Sequence, residues 1–182
     1  GIGTLNPGDR IDGGAGNDTL NVDMQGSFSG FSGGGYLQNV EILNLTNDSG
    51  NMQSFAINTV SNDLSIHLLG ANPIDLSAGQ GADSVSSGMG GDTVRGADGN
   101  DTIRGGDGSD DLFGDAGDDS LIGGAGDDYL TGGDGIDVFD LTGGDASTDV
   151  IWDWGENGTA DSLIGTLASG GSLKVYISDT ST

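Results

Sequence analysis

Cysteine is absent from this 182-residue chain, proline occurs twice, and only Arg10, Arg95, Arg104 and Lys174 are basic. Without cysteine there is no disulfide framework and no thiolate zinc or redox centre. Four cations against 29 acids, a formal charge of −25, leave no basic patch to hold phosphates and argue against nucleic acid as a partner. No apolar run approaches the ~18–20 residues of a membrane span, so no transmembrane segment is expected. Glutamate is scarce as well: Glu41 and Glu156 are the only two, and every other acid is Asp. A solvated acidic helix would favour Glu, because Asp is a poor helix former and prefers turns. Hydrophobic residues make up 33% of the chain and aromatics 5%, a composition that at this charge normally leaves a chain disordered. If the chain folds, something must neutralise the Asp residues, and multivalent cations are the obvious candidates. The chain opens at Gly1 without Met or a signal-peptide pattern, which suggests a processed or excised piece.

What is abundant is glycine, 38 residues, well short of the one-third that collagen needs. The glycines are periodic. From Ala78 to Asp140 the chain divides without a gap into seven nine-residue units: AGQGADSVS, SGMGGDTVR, GADGNDTIR, GGDGSDDLF, GDAGDDSLI, GGAGDDYLT and GGDGIDVFD. Position four is always Gly (Gly81, Gly90, Gly99, Gly108, Gly117, Gly126, Gly135) and position six always Asp (Asp83, Asp92, Asp101, Asp110, Asp119, Asp128, Asp137). Position eight is always apolar: Val85, Val94, Ile103, Leu112, Leu121, Leu130 and Phe139. An isolated copy, GGAGNDTLN, occupies 13–21, preceded by the partial match PGDRID at 7–12.

Each unit reads as six turn-forming residues followed by a three-residue strand with one inward apolar side chain. Such strands gain stability only by stacking on copies of themselves. Two units per coil give an 18-residue period and set the position-six acids in two columns, Asp83, Asp101, Asp119, Asp137 and Asp92, Asp110, Asp128. Coils lie about 4.8 Å apart. Two carboxylates at that spacing repel by about 1 kcal/mol in a water-like dielectric and by several at an effective dielectric constant near 20. A divalent cation between successive turns converts that repulsion into ligation. The donors would be all oxygen: the position-six carboxylates, the extra position-three acids Asp98, Asp107 and Asp134, and carbonyls of the turn glycines. Beside the position-four set, those glycines are Gly79, Gly88, Gly96, Gly105, Gly114, Gly123 and Gly132. A flexible all-oxygen set selects a hard cation and favours Ca²⁺ over Mg²⁺. Turn geometry alone would explain some Asp, but not why Asn never replaces it at the seven positions.

These units resemble the GGxGxDxUx nonapeptide of the RTX (repeats-in-toxin) family. The resemblance implies an all-β fold, a parallel β-roll or β-solenoid with Ca²⁺ held between stacked turns and a chain unfolded without calcium. Counting stacked pairs in the seven units gives about five ions. Ala97 and Asp115 at position two, and Ala78 and Ser87 at position one, depart from the pattern and mark weaker sites. Asp18, in the isolated unit, is a further candidate ligand with Asp9 as its partner.

Residues 1–77 are expected to form an N-terminal solenoid segment. It holds the isolated unit at 13–21 and a loop or insertion over about 23–37. The alternation of Val40, Ile42 and Leu45, of Leu64, Ile66 and Leu68, and of Ile74 and Leu76 reads as strand. Residues 78–140 are the roll, and 141–182 a C-terminal cap in which Ile151, Trp152 and Trp154 cover the last coil. Asp149, Asp153 and Asp161 supply a last calcium site or are solvated loop acids. The GxSxG match at Gly30–Gly34 lacks a following helix signal, the single His67 cannot build a zinc-protease centre, and the acids lack the EF-hand frame. The chain is therefore expected not to be an enzyme.

The functional expectation is a calcium-binding structural domain of a secreted or cell-surface bacterial protein, a surface layer or adhesin. It would fold on meeting extracellular Ca²⁺ and self-associate into a surface array. NVEILNLTN, at 39–47, resembles stretches beside RTX units in surface-layer proteins and giant adhesins. Export by type I secretion is implied by the resemblance. The alternative is the RTX tail of an extracellular protease, lipase or epimerase. A third reading is a glycan-binding module using Phe28, Phe31 and Tyr36.

Overall fold

The computed structural model describes residues 10–23, 36–57, 63–142, 145–152, 161–165 and 169–176. Phe28, Phe31, Asp9, Asp153, Trp154 and the GxSxG stretch lie outside them. Within them the chain is all-β, and no helix is long and apolar enough to cross a membrane.

The strands in chain order are β1 (Arg10–Asp12), β2 (Thr19–Asp23), β3 (Tyr36–Gln38), β4 (Ile42–Thr46), β5 (Gln53–Ala56) and β6 (Ser65–Leu69). There follow β7 (Ile74–Gln80), β8 (Ser84–Ser86), β9 (Thr93–Asp98), β10 (Thr102–Asp107), β11 (Asp111–Ala116) and β12 (Ser120–Ala125). The last are β13 (Tyr129–Asp134), β14 (Val138–Asp140), β15 (Thr148–Trp152), β16 (Ser162–Ile164) and β17 (Ser172–Tyr176). Strands alternate between two parallel sheets, in order β16-β14-β12-β10-β8-β6-β4-β2 and β17-β15-β13-β11-β9-β7-β5, with a small β1-β3 pair beside them. This is a β-solenoid: each coil gives one strand to each sheet.

In-register stacking places like on like. One core column runs Leu20, Leu43, Ile66, Val85, Ile103, Leu121 and Phe139, and ends on the exposed Leu163. The facing column runs Phe55, Leu76, Val94, Leu112, Leu130 and Ile151, and ends on the exposed Val175. All seven position-eight residues are buried, and one hydrophobic cluster extends from Val22 to Ile151. Burying a side chain of this size contributes about 1.5–3 kcal/mol.

Four details differ from the sequence reading. The repeat strands are six residues long rather than three: β9–β13 each take positions seven to nine of one unit and one to three of the next. Only the Gly-x-Asp of positions four to six turns the corner. In β4 the inward residues are Leu43 and Leu45, whereas Ile42 is only half-buried, because the alternation restarts after the turn at Val40–Glu41. Trp152 does not cover the last coil: β15 lies between β13 and β17, Ile151 is in the core, and the Trp152 side chain is 52% exposed. Of the stretch expected as loop, Asp23 ends β2 and Tyr36 begins β3.

Candidate metal centre

The three-residue turn demands glycine at position four. Gly117 has φ 140°, a conformation L side chains rarely adopt. A methyl group there would also collide with the carbonyl of Gly99, one coil earlier. The other position-four glycines, Gly81, Gly90, Gly99, Gly108, Gly126 and Gly135, share the positive φ. Their N–H groups tie coils together, as Gly99 N–H to Ala116 O (2.8 Å) and Gly117 N–H to Asp134 O (2.8 Å) show.

This tight stacking brings the position-six acids into the two expected columns and buries them; Asp110 and Asp128 are 0% exposed. Each carboxylate reaches one coil back. Oδ1 of Asp101 accepts from Asp83 N–H (2.7 Å), that of Asp119 from Asp101 N–H (2.7 Å), and that of Asp137 from Asp119 N–H (2.9 Å). On the other edge Asp110 accepts from Asp92 N–H (2.8 Å) and Asp128 from Asp110 N–H (2.9 Å). These bonds span 18 residues, so the acids are not making the local Asx-turns that turn geometry alone would require.

The second oxygen is the informative one. Oδ2 of Asp83, Asp101, Asp110, Asp119 and Asp128 is buried with no hydrogen-bond partner. Leaving a charged oxygen in that state is strongly unfavourable. Burial pushes the carboxyl groups of Asp83, Asp119 and Asp128 up to about 7, with help from neighbouring acids and against the lowering effect of the N–H bonds. Burial likewise raises Asp110 and Asp137 to about 6, and lifts Asp92, Asp101 and Asp149. Either a proton or a cation must compensate these oxygens. A row of orphaned, buried carboxylate oxygens fits a hard divalent ion. Among the described residues no three acidic or histidine side chains converge on one point, so turn carbonyls would have to complete any coordination shell.

The position-one glycines make room for these oxygens. A methyl group on Gly96, Gly105, Gly114, Gly123 or Gly132 would run into Oδ2 of Asp101, Asp110, Asp119, Asp128 or Asp137 respectively. Where position one is Ser87, its hydroxyl instead donates to Asp92 Oδ2, which gives that oxygen a protein partner. At position two, Gly79 has φ 124°, whereas Ala97 and Asp115 hold φ 82° and 73° against their preference. At Gly88 a methyl group would approach Leu68 O to 2.7 Å. The position-three acids Asp98, Asp107 and Asp134 are exposed at strand ends, outside the buried columns.

Both columns outrun the repeat. Asp149 Oδ1 accepts from Asp128 N–H (3.3 Å) and Asp161 Oδ1 from Asp137 N–H (3.1 Å). These two acids therefore continue opposite edges rather than meeting in one site. At the other end Asp18, whose Oδ2 is also buried and unpartnered, donates its N–H to Glu41 Oε2 (2.8 Å). Its neighbour in the column is thus Glu41, which the repeat pattern did not single out. His67 stands on the half-buried outer side of β6, in register with Asn44 and Ser86.

Compared with protein families, the chain matches the RTX calcium-binding nonapeptide repeat in four copies, over residues 8–23, 75–103, 86–121 and 104–139. No curated protein and no solved structure matches it.

Proposed function

Because its repeats belong to the RTX calcium-binding nonapeptide family, whose members bind Ca²⁺ at multiple sites, we propose that the chain is a non-catalytic, calcium-rigidified rod within a secreted or cell-surface bacterial protein. A surface layer or adhesin is the setting that suits a rod best. The observation that carries this reading is the pair of unbroken acid columns along one continuous core. Such columns repel without cations and cross-link consecutive coils with them, so binding energy becomes folding energy. Calcium supplies the charge that the buried oxygens need. The chain's own residues supply the rest: glycines let the turns approach, N–H groups fix each Oδ1, and the position-eight column holds the coils in register. Extracellular modules typically bind Ca²⁺ at about 10⁻⁴–10⁻³ M. A chain of that affinity stays open in a calcium-poor cytosol, is exported by type I secretion, and folds outside.

The test is far-UV circular dichroism during Ca²⁺ titration of chelated protein, with Mg²⁺ as control, followed by electron microscopy of the loaded chain. A cooperative gain of β signal with Ca²⁺ alone is expected, and calcium-dependent sheets or filaments would support the surface-layer setting. A folded spectrum indifferent to Ca²⁺ would overturn the reading.

A further inference from the structure

The outer face of the seven-stranded sheet carries a second pattern, independent of the acid columns. Arg95, Phe113, Thr131 and Trp152 stand in register on β9, β11, β13 and β15. Tyr129 lies two residues before Thr131, on the same face of β13. Tyr129 and Trp152 are each about half exposed, at 53% and 52%, and Phe113 is half-buried. The Arg95 guanidinium lies 4.1 Å from the Phe113 ring centroid. Arg95 belongs to the preceding strand and Thr131 to the following one. The strands of the eight-stranded sheet present no Phe, Tyr or Trp on their outer face. The two buried aromatics, Phe55 and Phe139, are core. Among the described side chains, aromatic exposure is thus concentrated on one patch.

The register sets the size of that patch. Phe113 and Trp152 are two rungs apart, about 9–10 Å, and the rung between them is the short side chain of Thr131. A ring seated above Thr131 would lie about 4.8 Å from each neighbouring rung, within the ~4.5–7 Å over which ring contacts are favourable. We propose that this slot, walled by Phe113 and Trp152, floored by Thr131 and flanked by Tyr129, binds a pyranose ring of an uncharged polysaccharide.

Charge selects among possible occupants. At −25 the chain repels polyanions, so acidic glycans and nucleic acids are disfavoured. The polar groups around the slot include the hydroxyls of Thr131 and Tyr129 and the exposed carboxylates of Asp111 and Asp115, two residues to either side of Phe113 on the same face. A purely apolar ring would leave them unpaired at a desolvated contact. A pyranose presents C–H bonds on its faces and hydroxyls at its edge, which matches stacking walls with a polar surround. Because the rungs belong to hydrogen-bonded parallel strands, the slot is held in place before binding, which lowers the entropic loss on association.

The experiment is affinity gel electrophoresis of the calcium-loaded full chain in gels containing hydroxyethyl cellulose, glucomannan or polygalacturonate. Retardation by at least one neutral polymer and none by polygalacturonate is expected. Trp152→Ala and Phe113→Ala should each weaken retardation about tenfold. Thr131→Phe, which fills the slot and removes neither wall, should abolish it. Calcium-dependent circular dichroism of every variant separates loss of the slot from loss of the fold. Absence of retardation in both neutral polymers, retardation only by polygalacturonate, or retardation that survives Thr131→Phe would each overturn the proposal.

Discussion

In the coil from Asn47 to Ile74 the edge of the solenoid is closed by neutral groups; in the nonapeptide coils, as at Asp18 and Glu41, it carries carboxylates. Asn47 is fully buried, and its amide donates to Asn51 O (2.9 Å) and Pro73 O (2.8 Å). Its Oδ1 accepts from the N–H (3.1 Å) and the hydroxyl (2.7 Å) of Ser49, and its carbonyl accepts from Asn72 Nδ2 (2.9 Å). Leu64 and Ile74 stand in the acid columns themselves, where their N–H groups meet the first carboxylates, Asp83 and Asp92. The coils before residue 78 are 21 to 26 residues long, against 18 in the repeat. The extra residues house side chains that satisfy one another. An 18-residue coil has only a Gly-x-Asp corner, with no room for such a network, and leaves Oδ2 of Asp83, Asp101, Asp110, Asp119 and Asp128 without a protein partner. The same core thus supports one self-sufficient edge and one conditional on calcium.

Removing calcium tests that division most severely. An ion present at 100 times its dissociation constant contributes about 2.7 kcal/mol. Seven stacked acid pairs are present between Asp83 and Asp161. If each holds an ion, their sum exceeds the roughly 5–15 kcal/mol net stability of an ordinary domain. Excess chelator should therefore abolish hydrogen-exchange protection across β9–β13 while β4 and β6 keep a measurable part of theirs. Loss of both in one step would show that the shared core makes the two edges a single cooperative unit.

A smaller effect separates the two kinds of turn. Gly117→Ala meets both a forbidden φ and the backbone of Gly99, and should lose about 3 kcal/mol or more. Gly50 also has positive φ, 76°, but nothing lies within 4 Å of an added methyl group. Gly50→Ala should lose only about 1–2 kcal/mol, the left-handed penalty alone. Thermal melts in saturating calcium distinguish them, and equal losses would mean that coil-to-coil contact is not what fixes position four.

The same nine-residue logic explains what could be read in advance. Any stack with a period of two units sets like residues on like, so the core column from Val85 to Phe139 and both acid columns follow from spacing alone. Strand length does not: Gly-rich segments signal turns, yet parallel coils in register bond through the backbone whatever the side chain, and so β9–β13 run on into the glycines. Asp149, Asp161 and Glu41 were obscured because their coils are 21 to 24 residues long and fall outside the nine-residue frame. A signal existed all the same. Asp149-Val150-Ile151, Asp161-Ser162-Leu163 and Glu41-Ile42-Leu43 each repeat the acid-x-apolar order of the units. That order marks the corner even where the glycines are gone. The N–H bonds of Asp118 to Asn100 Oδ1 (3.0 Å) and of Ile136 to Asp118 Oδ1 (2.8 Å), a second ladder outside the first, had no such marker.

Asp119→Asn sharpens the comparison by making one repeat corner neutral like Asn47. Asp119 belongs to two stacked pairs, with Asp101 and with Asp137. The amide keeps an acceptor for Asp101 N–H and removes the buried charge. In chelator the variant should be more stable than the parent, and in calcium less, with calorimetric stoichiometry falling by one or two ions. A loss of stability under both conditions would mean that the site depends on shape rather than charge.

The gentlest probe is pH, and its sign differs between the two states. The buried acids at about 6 to 7 stand above the 3.8 of an ordinary Asp. In chelator the folded chain then holds protons that the unfolded chain has released. Between about pH 4 and pH 7 its stability falls as pH rises, and acidification restores it. In calcium the ion requires the ionised carboxylate, so protons compete with it and stability falls as pH drops through the same range. The order of stability should therefore cross: more β signal by circular dichroism at pH 5 than at pH 8 in chelator, and a higher melting temperature at pH 8 than at pH 5 in calcium. General self-repulsion at −25 also weakens on acidification, but it is long-ranged and is screened at about 1 M salt, where the Debye length is about 3 Å. A crossing that survives such salt belongs to the buried columns, and one that vanishes belongs to the surface.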